Sequence, residues 1–551
     1  MGWLKSLALS IVPAVLVALP VPVKAAETIV FPVGKMNLEI SLNTLENYAE
    51  TGLLPDNQPL ETYLNWFTPS EQRQVRELLR TRYSFDTKAT AQLLKSPMVA
   101  SFLEYLGGLI QSESGENGSE AIYDAIIAAT ATDPEGFNII EILRQFPAES
   151  IHLDLEEALD TMVRVVSLVR QTDTVITSLE QLALSEVTAS SWVDFNQMPD
   201  LRQRGSIEVS KQTLSLFDWQ RNRQFEADLY LPNQVAENIA TEKSTPVIVI
   251  SHGLASERSR FEDLARHLAS YGFAVAVPQH PGSDYQALQQ LLAGERNDIF
   301  EVNQFIDRPH DISYLLNHLE RLNKKELKNQ LNLEQVGVWG HSFGGYTALA
   351  LAGATIDFEK LQADCTLENK IVNPSMFLQC RALELPQSEY QFRDPRVKAV
   401  VVLNPVNSGV LGQLGLSQIS IPVMMGASSG DLLAPAVIEQ IQTFTWLTTS
   451  NRYLVIKRGD SHFFDVNQSN VSEIPGMGGL LSPGVEVTRN YMNALSVAFF
   501  GTYVTEDLEY KPYLQAAYGQ EIGEAPYTLS VLKSLTPTEF SKVVSGNISR
   551  N

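Results

Sequence analysis

Val336-Gly-Val-Trp339-Gly340-His341-Ser342-Phe343-Gly344-Gly345 is the stretch that decides the fold. Val336 to Trp339 is a short apolar run of strand character, and Gly345 to Gly353 is a helical stretch rich in small residues. Between them, Gly340 to Gly344 fits the pattern G-x-S-x-G. A strand that turns so tightly into a helix needs glycine at the flanking positions, and the turn lifts the serine hydroxyl above the strand ends.

Working outward, the same kind of apolar run recurs at Val247 to Ile250, Ala274 to Val277, Val397 to Leu403, Ile421 to Met425 and Tyr453 to Ile456. Runs apolar on both faces fit the central strands of a mostly parallel sheet. Helical stretches separate them at Phe261 to Tyr271, Phe300 to Asn323, Ala434 to Leu447 and Val485 to Phe500. Alternation of this kind predicts an α/β fold, an open sheet with helices on both faces. Ile207 to Leu216 and Gln224 to Leu231 read as a leading hairpin, so this domain is expected over 201–505. Residues 27–200 read as a mainly helical N-terminal domain. There Thr68-Pro69-Ser70-Glu71 supplies a capping box with proline at the first helical position, and Asp154 caps a long helical pattern from Leu155 to about Leu182. Residues 506–551 form a C-terminal extension to which the sequence assigns no role. The connection 354–394 is longer than a simple loop and reads as either a lid over an acyl pocket or packing on the sheet's flank. Val410 to Leu416 is a second apolar loop with the same two readings.

The chemistry follows from Ser342. A serine hydroxyl is a poor nucleophile until a base removes its proton. In this arrangement the base follows the serine in the chain. Of the eight histidines only His462 does so, in Gly459-Asp460-Ser461-His462 after the last strand of the series. Five aspartates lie between the two, and Asp431 is the best placed to orient the imidazole, because it follows the run Ile421 to Met425. Asp394 precedes a strand, and Asp460 is too near His462 to bend back to it. For the oxyanion hole the expected backbone donors are Phe343, next to the nucleophile, and Leu254, in Ser251-His252-Gly253-Leu254. His252, His280 and His310 read as braces for their loops, and His341 as support for the turn.

The 551 residues exceed one compact core. Apolar residues make up 44% and charged residues 19%, an ordinary globular balance. The formal charge of −23 repels phosphate backbones, so nucleic acid is not an expected partner. Residues 1–26 read as a signal peptide: Lys5 heads an apolar run from Leu7 to Val23, ended by Pro20 and Pro22 and followed by Val23-Lys24-Ala25. The competing reading is an uncleaved anchor. Export to the periplasm or medium is therefore expected, and there Cys365 and Cys380, the only cysteines, could pair or stay as buried thiols. No Cys/His cluster has metal-ligand spacing, so no metal and no cofactor are expected.

With these residues in place, 205–505 resembles the platelet-activating-factor acetylhydrolase and dienelactone hydrolase branches of the α/β hydrolases, and the bacterial polyester hydrolases of the cutinase type. The shared elements are His252-Gly253-Leu254, Gln279-His-Pro-Gly282, Arg308-Pro-His-Asp311, Gly340 to Gly345, Gly426 to Pro435 and Gly459 to His462. Phe31-Pro-Val-Gly34, the Glu46 to Gly52 region and Ile142 to Phe146 make the whole chain similar to exported cyanobacterial hydrolases with an extra N-terminal domain. The resemblance implies hydrolysis of a carboxylic ester, a small molecule or a lipid, with room for peripheral membrane contact. In the acetylhydrolase branch the acid sits where this chain has Asn404, whereas Asp431 matches the dienelactone and polyester hydrolase position. Two other functions stay open: a binding or scaffolding module with a covered site, and acyl transfer or peptide cleavage on the same residues.

Overall fold

Among the described residues nine strands form the large sheet, running in order from Leu529–Leu532 at one edge through Arg452–Lys457, Val423–Ser428, Val397–Leu403, Leu331–His341, Thr245–Ser251, Ala274–Pro278 and Arg223–Pro232 to Val209–Asp218 at the other. The computed structural model describes residues 25–33, 36–55, 61, 64–65, 68–112, 114–132, 136–189, 193–237, 244–462 and 484–545. The expected signal peptide thus lies almost entirely outside the described residues. The six apolar runs become β7 (Thr245–Ser251), β8 (Ala274–Pro278), β9 (Leu331–His341), β10 (Val397–Leu403), β11 (Val423–Ser428) and β12 (Arg452–Lys457), all parallel. The leading hairpin is β5 (Val209–Asp218) and β6 (Arg223–Pro232), and β6 joins β8 antiparallel.

Alternation along each strand feeds two apolar layers. Val400 and Val402 of β10 join one with the helices Gln304–Lys325 and Phe343–Ala352, while Ala399, Val401 and Leu403 join the other with Glu262–Ser270 and Val485–Tyr503. Each such valine or leucine, fully buried, contributes about 1.5–3 kcal/mol relative to exposure. Trp339 is buried among them with its indole N–H donated to Ser496 Oγ at 3.1 Å, so its one polar atom is satisfied.

Two compact units divide the described chain: residues up to Arg82 with Leu106–Leu155, and Tyr83–Tyr105 with Glu156 onward. The helix Leu155–Ala189 buries Val175, Ile176, Leu179 and Ala183 in the same apolar layer as the large sheet. Glu180 and Asp173 on that helix pair with Arg458, in the loop after β12. The first unit carries helices, one starting at Pro69 as its capping pattern predicts, and also a small sheet absent from the sequence reading. Its strands are β1 (Thr28–Val33), β2 (Met36–Ser41), β3 (Ile110–Gln111) and β4 (Ser150–Leu153), in the order β2-β1-β4-β3.

The C-terminal residues, given no role by the sequence, close the large sheet. β13 (Leu529–Leu532) pairs antiparallel with β12 and covers what would be an exposed edge. Cys365 and Cys380 are disulfide-bonded. Met376 and Leu378, in the segment they bracket, pack into the core, as do Val410, Leu411 and Leu416. Those side chains therefore pack the sheet's flank. Among the described residues no helix is long and apolar enough to cross a membrane.

Candidate active site

Strand order reverses between β7 and β9, because β8 lies on the far side of β7 while β10 to β12 extend from β9. Crevices at the carboxyl ends of such strands are where open α/β sheets place ligands. Ser342 follows β9 there, at φ +53° and ψ −116°, a conformation that costs an L-residue energy and persists only where its surroundings impose it. Those surroundings are close. A Cβ on Gly340 would lie 2.1 Å from the Gly344 carbonyl oxygen, and one on Gly344 would lie 2.0 Å from that of Ser251. Both glycines are thus required by contact, and the Ser342 N–H is tied to the Leu403 carbonyl at 3.0 Å.

The loop after β12 brings His462 over the serine. Its Nε2 lies 2.9 Å from Ser342 Oγ, and its Nδ1 lies 2.7 Å from Asp431 Oδ2. All three residues are buried, with exposures of 7% for Ser342, 6% for His462 and 4% for Asp431. Asp431 is fixed from its other side, since its Oδ1 accepts the N–H groups of Leu433 at 3.0 Å and Ala434 at 2.8 Å. The two loops are stitched together by Gly430 N–H to the Asp460 carbonyl, 2.8 Å, and by Gly459 N–H to Ser429 Oγ, 2.8 Å.

The other acids go elsewhere. Asp394 binds Arg396 and Ser313 at the far end of β10. Asp460 pairs with Lys457. Asn404 donates to the Ser461 carbonyl at 3.3 Å and accepts from Ser428 Oγ at 3.0 Å, so it supports the loop before His462 and not the imidazole itself. His341 meets the His462 carbonyl through Nε2 at 2.9 Å.

Phe343 opens the helix Phe343–Ala352, where the first N–H groups have no intrahelical acceptor. Gly253, the residue before Leu254, lies beside the nucleophile: a Cβ on Gly253 would sit 3.3 Å from Ser342 Cβ. Behind this loop is a buried polar network whose importance the sequence reading missed. His252 donates from Nδ1 to the Gly253 carbonyl, 2.8 Å, and accepts the His280 N–H on Nε2, 3.0 Å. Burial, helped by the nearby Arg308 charge, holds its pKa well below the usual histidine value, so it is neutral. His280 spans Ser251 Oγ and Asp311 Oδ2, at 3.0 Å each, and burial pushes it down to about 4. Burial alone would raise the Asp311 carboxyl, but hydrogen bonds from His280 and Arg223 hold it at about 2. Arg308 and Asp311 belong to the helix Gln304–Lys325, which contains Pro309. Proline donates no N–H to the carbonyl four residues back, and the carbonyl so released, that of Phe305, accepts the Tyr346 hydroxyl at 2.9 Å. The sequence signal for this network was Arg308-Pro-His-Asp311, where the arginine and aspartate carry the contacts.

An apolar groove of about 440 Å³ opens beside Asp431. Val165, Leu168 and Val169 of the helix Leu155–Ala189 form one wall, Ile371 and Val372 another, and Leu432 the rim.

Comparison with known proteins bears on both units. Residues 25–154 match the family model "Alpha/beta hydrolase of unknown function (DUF1400)", and residues 203–367 match the Chlorophyllase model. The platelet-activating factor acetylhydrolase of Canis lupus familiaris is 25% identical over 191 residues, covering 27% of this chain and 43% of the relative. That of Cavia porcellus is 27% identical over 141 residues, covering 20% of this chain and 32% of the relative. The matched region thus spans less than half the length of these relatives. With a mostly parallel sheet and a serine on the strand-to-helix turn at its switch point, these matches make the chain a member of the α/β-hydrolase superfamily.

Proposed function

We propose that this protein is a serine hydrolase that cleaves carboxylic esters through an acyl-enzyme on Ser342. The observation that carries the reading is the line of hydrogen bonds from Ser342 Oγ to His462 Nε2 and from His462 Nδ1 to Asp431. In the proposed reaction Oγ attacks the ester carbonyl carbon as its proton passes to Nε2, leaving a tetrahedral oxyanion held by the N–H groups of Leu254 and Phe343. The carbonyl re-forms, the bond to the alcohol oxygen breaks, and the imidazolium returns its proton to that oxygen. Water, deprotonated by the same imidazole, then attacks the acyl-enzyme and releases the acid and Ser342. Asp431 holds the tautomer with the proton on Nδ1 and stabilises the cation that forms.

Ester chemistry is supported by the acetylhydrolase relatives, and the apolar groove beside Asp431 supports a substrate with an aliphatic chain. We further propose export, on the pattern of residues 1–26. The test of the activity is hydrolysis of p-nitrophenyl esters from acetyl to palmitoyl, with Ser342→Ala as control. Turnover that disappears in the variant is expected. Equal turnover by wild type and variant would reject the serine mechanism.

A further inference from the structure

Arg308 is fully buried, and among the described residues its hydrogen-bond acceptors are carbonyls and a hydroxyl, not a carboxylate. Nη1 donates to the His252 carbonyl at 2.6 Å, Nη2 to the carbonyls of Gly253 at 3.2 Å and Ser283 at 3.3 Å, and Nε to Ser283 Oγ at 2.9 Å. Its guanidinium carbon also lies 4.5 Å from the centroid of the Phe343 ring. Burying a cation without a direct anionic partner is costly, so its placement calls for a local reason.

We propose that Arg308 is a positioning residue of the oxyanion hole, an assignment that rests on the ester-hydrolase reading above. Across a trans peptide the carbonyl of one residue and the N–H of the next point in opposite directions. Arg308 shares the Gly253 carbonyl with His252 Nδ1, and together they turn the Leu254 N–H to the opposite side of that peptide. A charged donor on the carbonyl also polarises the peptide, which makes its N–H a stronger donor. The same guanidinium packs on the side chain of Phe343, whose N–H is the second donor. One buried group therefore bears on both. Lysine retains the charge but lacks the planar fork that reaches three carbonyls and a hydroxyl together.

The test is Arg308→Lys assayed on an ester and on its thionoester, whose larger, weakly accepting sulfur replaces the carbonyl oxygen. Removing an oxyanion donor outright costs about 10²–10³ in kcat, so a misaligned one is expected to cost roughly 10–100-fold on the ester. KM should stay within about twofold and the thionoester rate should fall far less, collapsing the ester-to-thionoester ratio. A folded variant that loses both substrates equally, or neither, overturns the assignment. A wild type without Ser342-dependent hydrolysis would instead overturn the ester-hydrolase reading itself. Should the lysine variant not fold, a crystal structure of the wild type phosphonylated on Ser342 decides. The phosphonyl oxygen is expected at about 2.7–3.1 Å from both the Leu254 and Phe343 nitrogens, with Arg308 still on the Gly253 carbonyl. A phosphonyl oxygen held by other groups overturns the proposal.

Discussion

Replacing Asp431 by asparagine should abolish most of the activity while leaving the fold in place, and the geometry says why. In the wild type Oδ1 accepts two backbone N–H groups, from Leu433 and Ala434, and Oδ2 accepts from His462 Nδ1. An amide has one oxygen, and the two fixed backbone donors claim it. Its NH₂ then faces His462 Nδ1 and can only donate, which forces the imidazole proton onto Nε2. That nitrogen lies 2.9 Å from Ser342 Oγ and can no longer take its proton. The wrong tautomer and the lost anion together should lower kcat by about 10⁴, or about 5 kcal/mol of transition-state stabilisation. The volume hardly changes and both backbone donors stay satisfied, so the melting temperature should move by no more than a few degrees. The assay is kcat and KM on p-nitrophenyl butyrate beside a thermal scan. A folded Asp431→Asn enzyme within tenfold of wild-type kcat would show that Asp431 does not orient His462 for catalysis.

Val169 is 52% exposed on the groove wall, and Val169→Asp should raise KM for a palmitoyl ester about tenfold while changing the acetyl ester by less than about twofold; parallel KM series check it. His280 and His267 are both pushed by burial to about 4. Unfolded, they titrate near 6.5, so between these values the unfolded chain binds more protons. Stability from this source is full above about pH 6.5 and lost as pH falls toward 4, on the order of 2–3 kcal/mol for the fully buried His280; a melting temperature flat from pH 7 to 4.5 would contradict it. The bond between Cys365 and Cys380 closes a segment of sequence separation 15, and replacing both with serine should cost about 3 kcal/mol, read as a lower melting temperature.

The central strands were legible because burial on both faces demands β-branched, wholly apolar runs, and Val247 to Ile250 or Val397 to Leu403 can hardly be anything else. Ser342 stood out because its turn needs glycines at fixed positions, and His462 because no other histidine follows it. The structure brings both beside Asp431, whose placement at the carboxyl end of β11 was visible from the strand before it. Other features lacked a local signal. β13 has four residues in a polar, aromatic setting, and only its partner β12 makes it a strand. The helix Leu155–Ala189 showed its apolar stripe, but a stripe does not name what covers it, and the large sheet does. Pro309 lies inside the stretch Phe300 to Asn323 that reads as helical, and what the sequence did not show is that the hydroxyl of Tyr346 satisfies the released carbonyl and lets the helix continue. With that helix intact, Arg308 and Asp311 face the buried network while His310 lies outside it.

The measurement that bears most directly on Ser342 as nucleophile is covalent labelling of the folded protein by a fluorophosphonate, followed by peptide mass analysis. One adduct per chain is expected, located on Ser342, absent from Ser342→Ala and strongly slowed in Asp431→Asn. A folded wild-type protein that takes no label, or takes it on another residue, would contradict it.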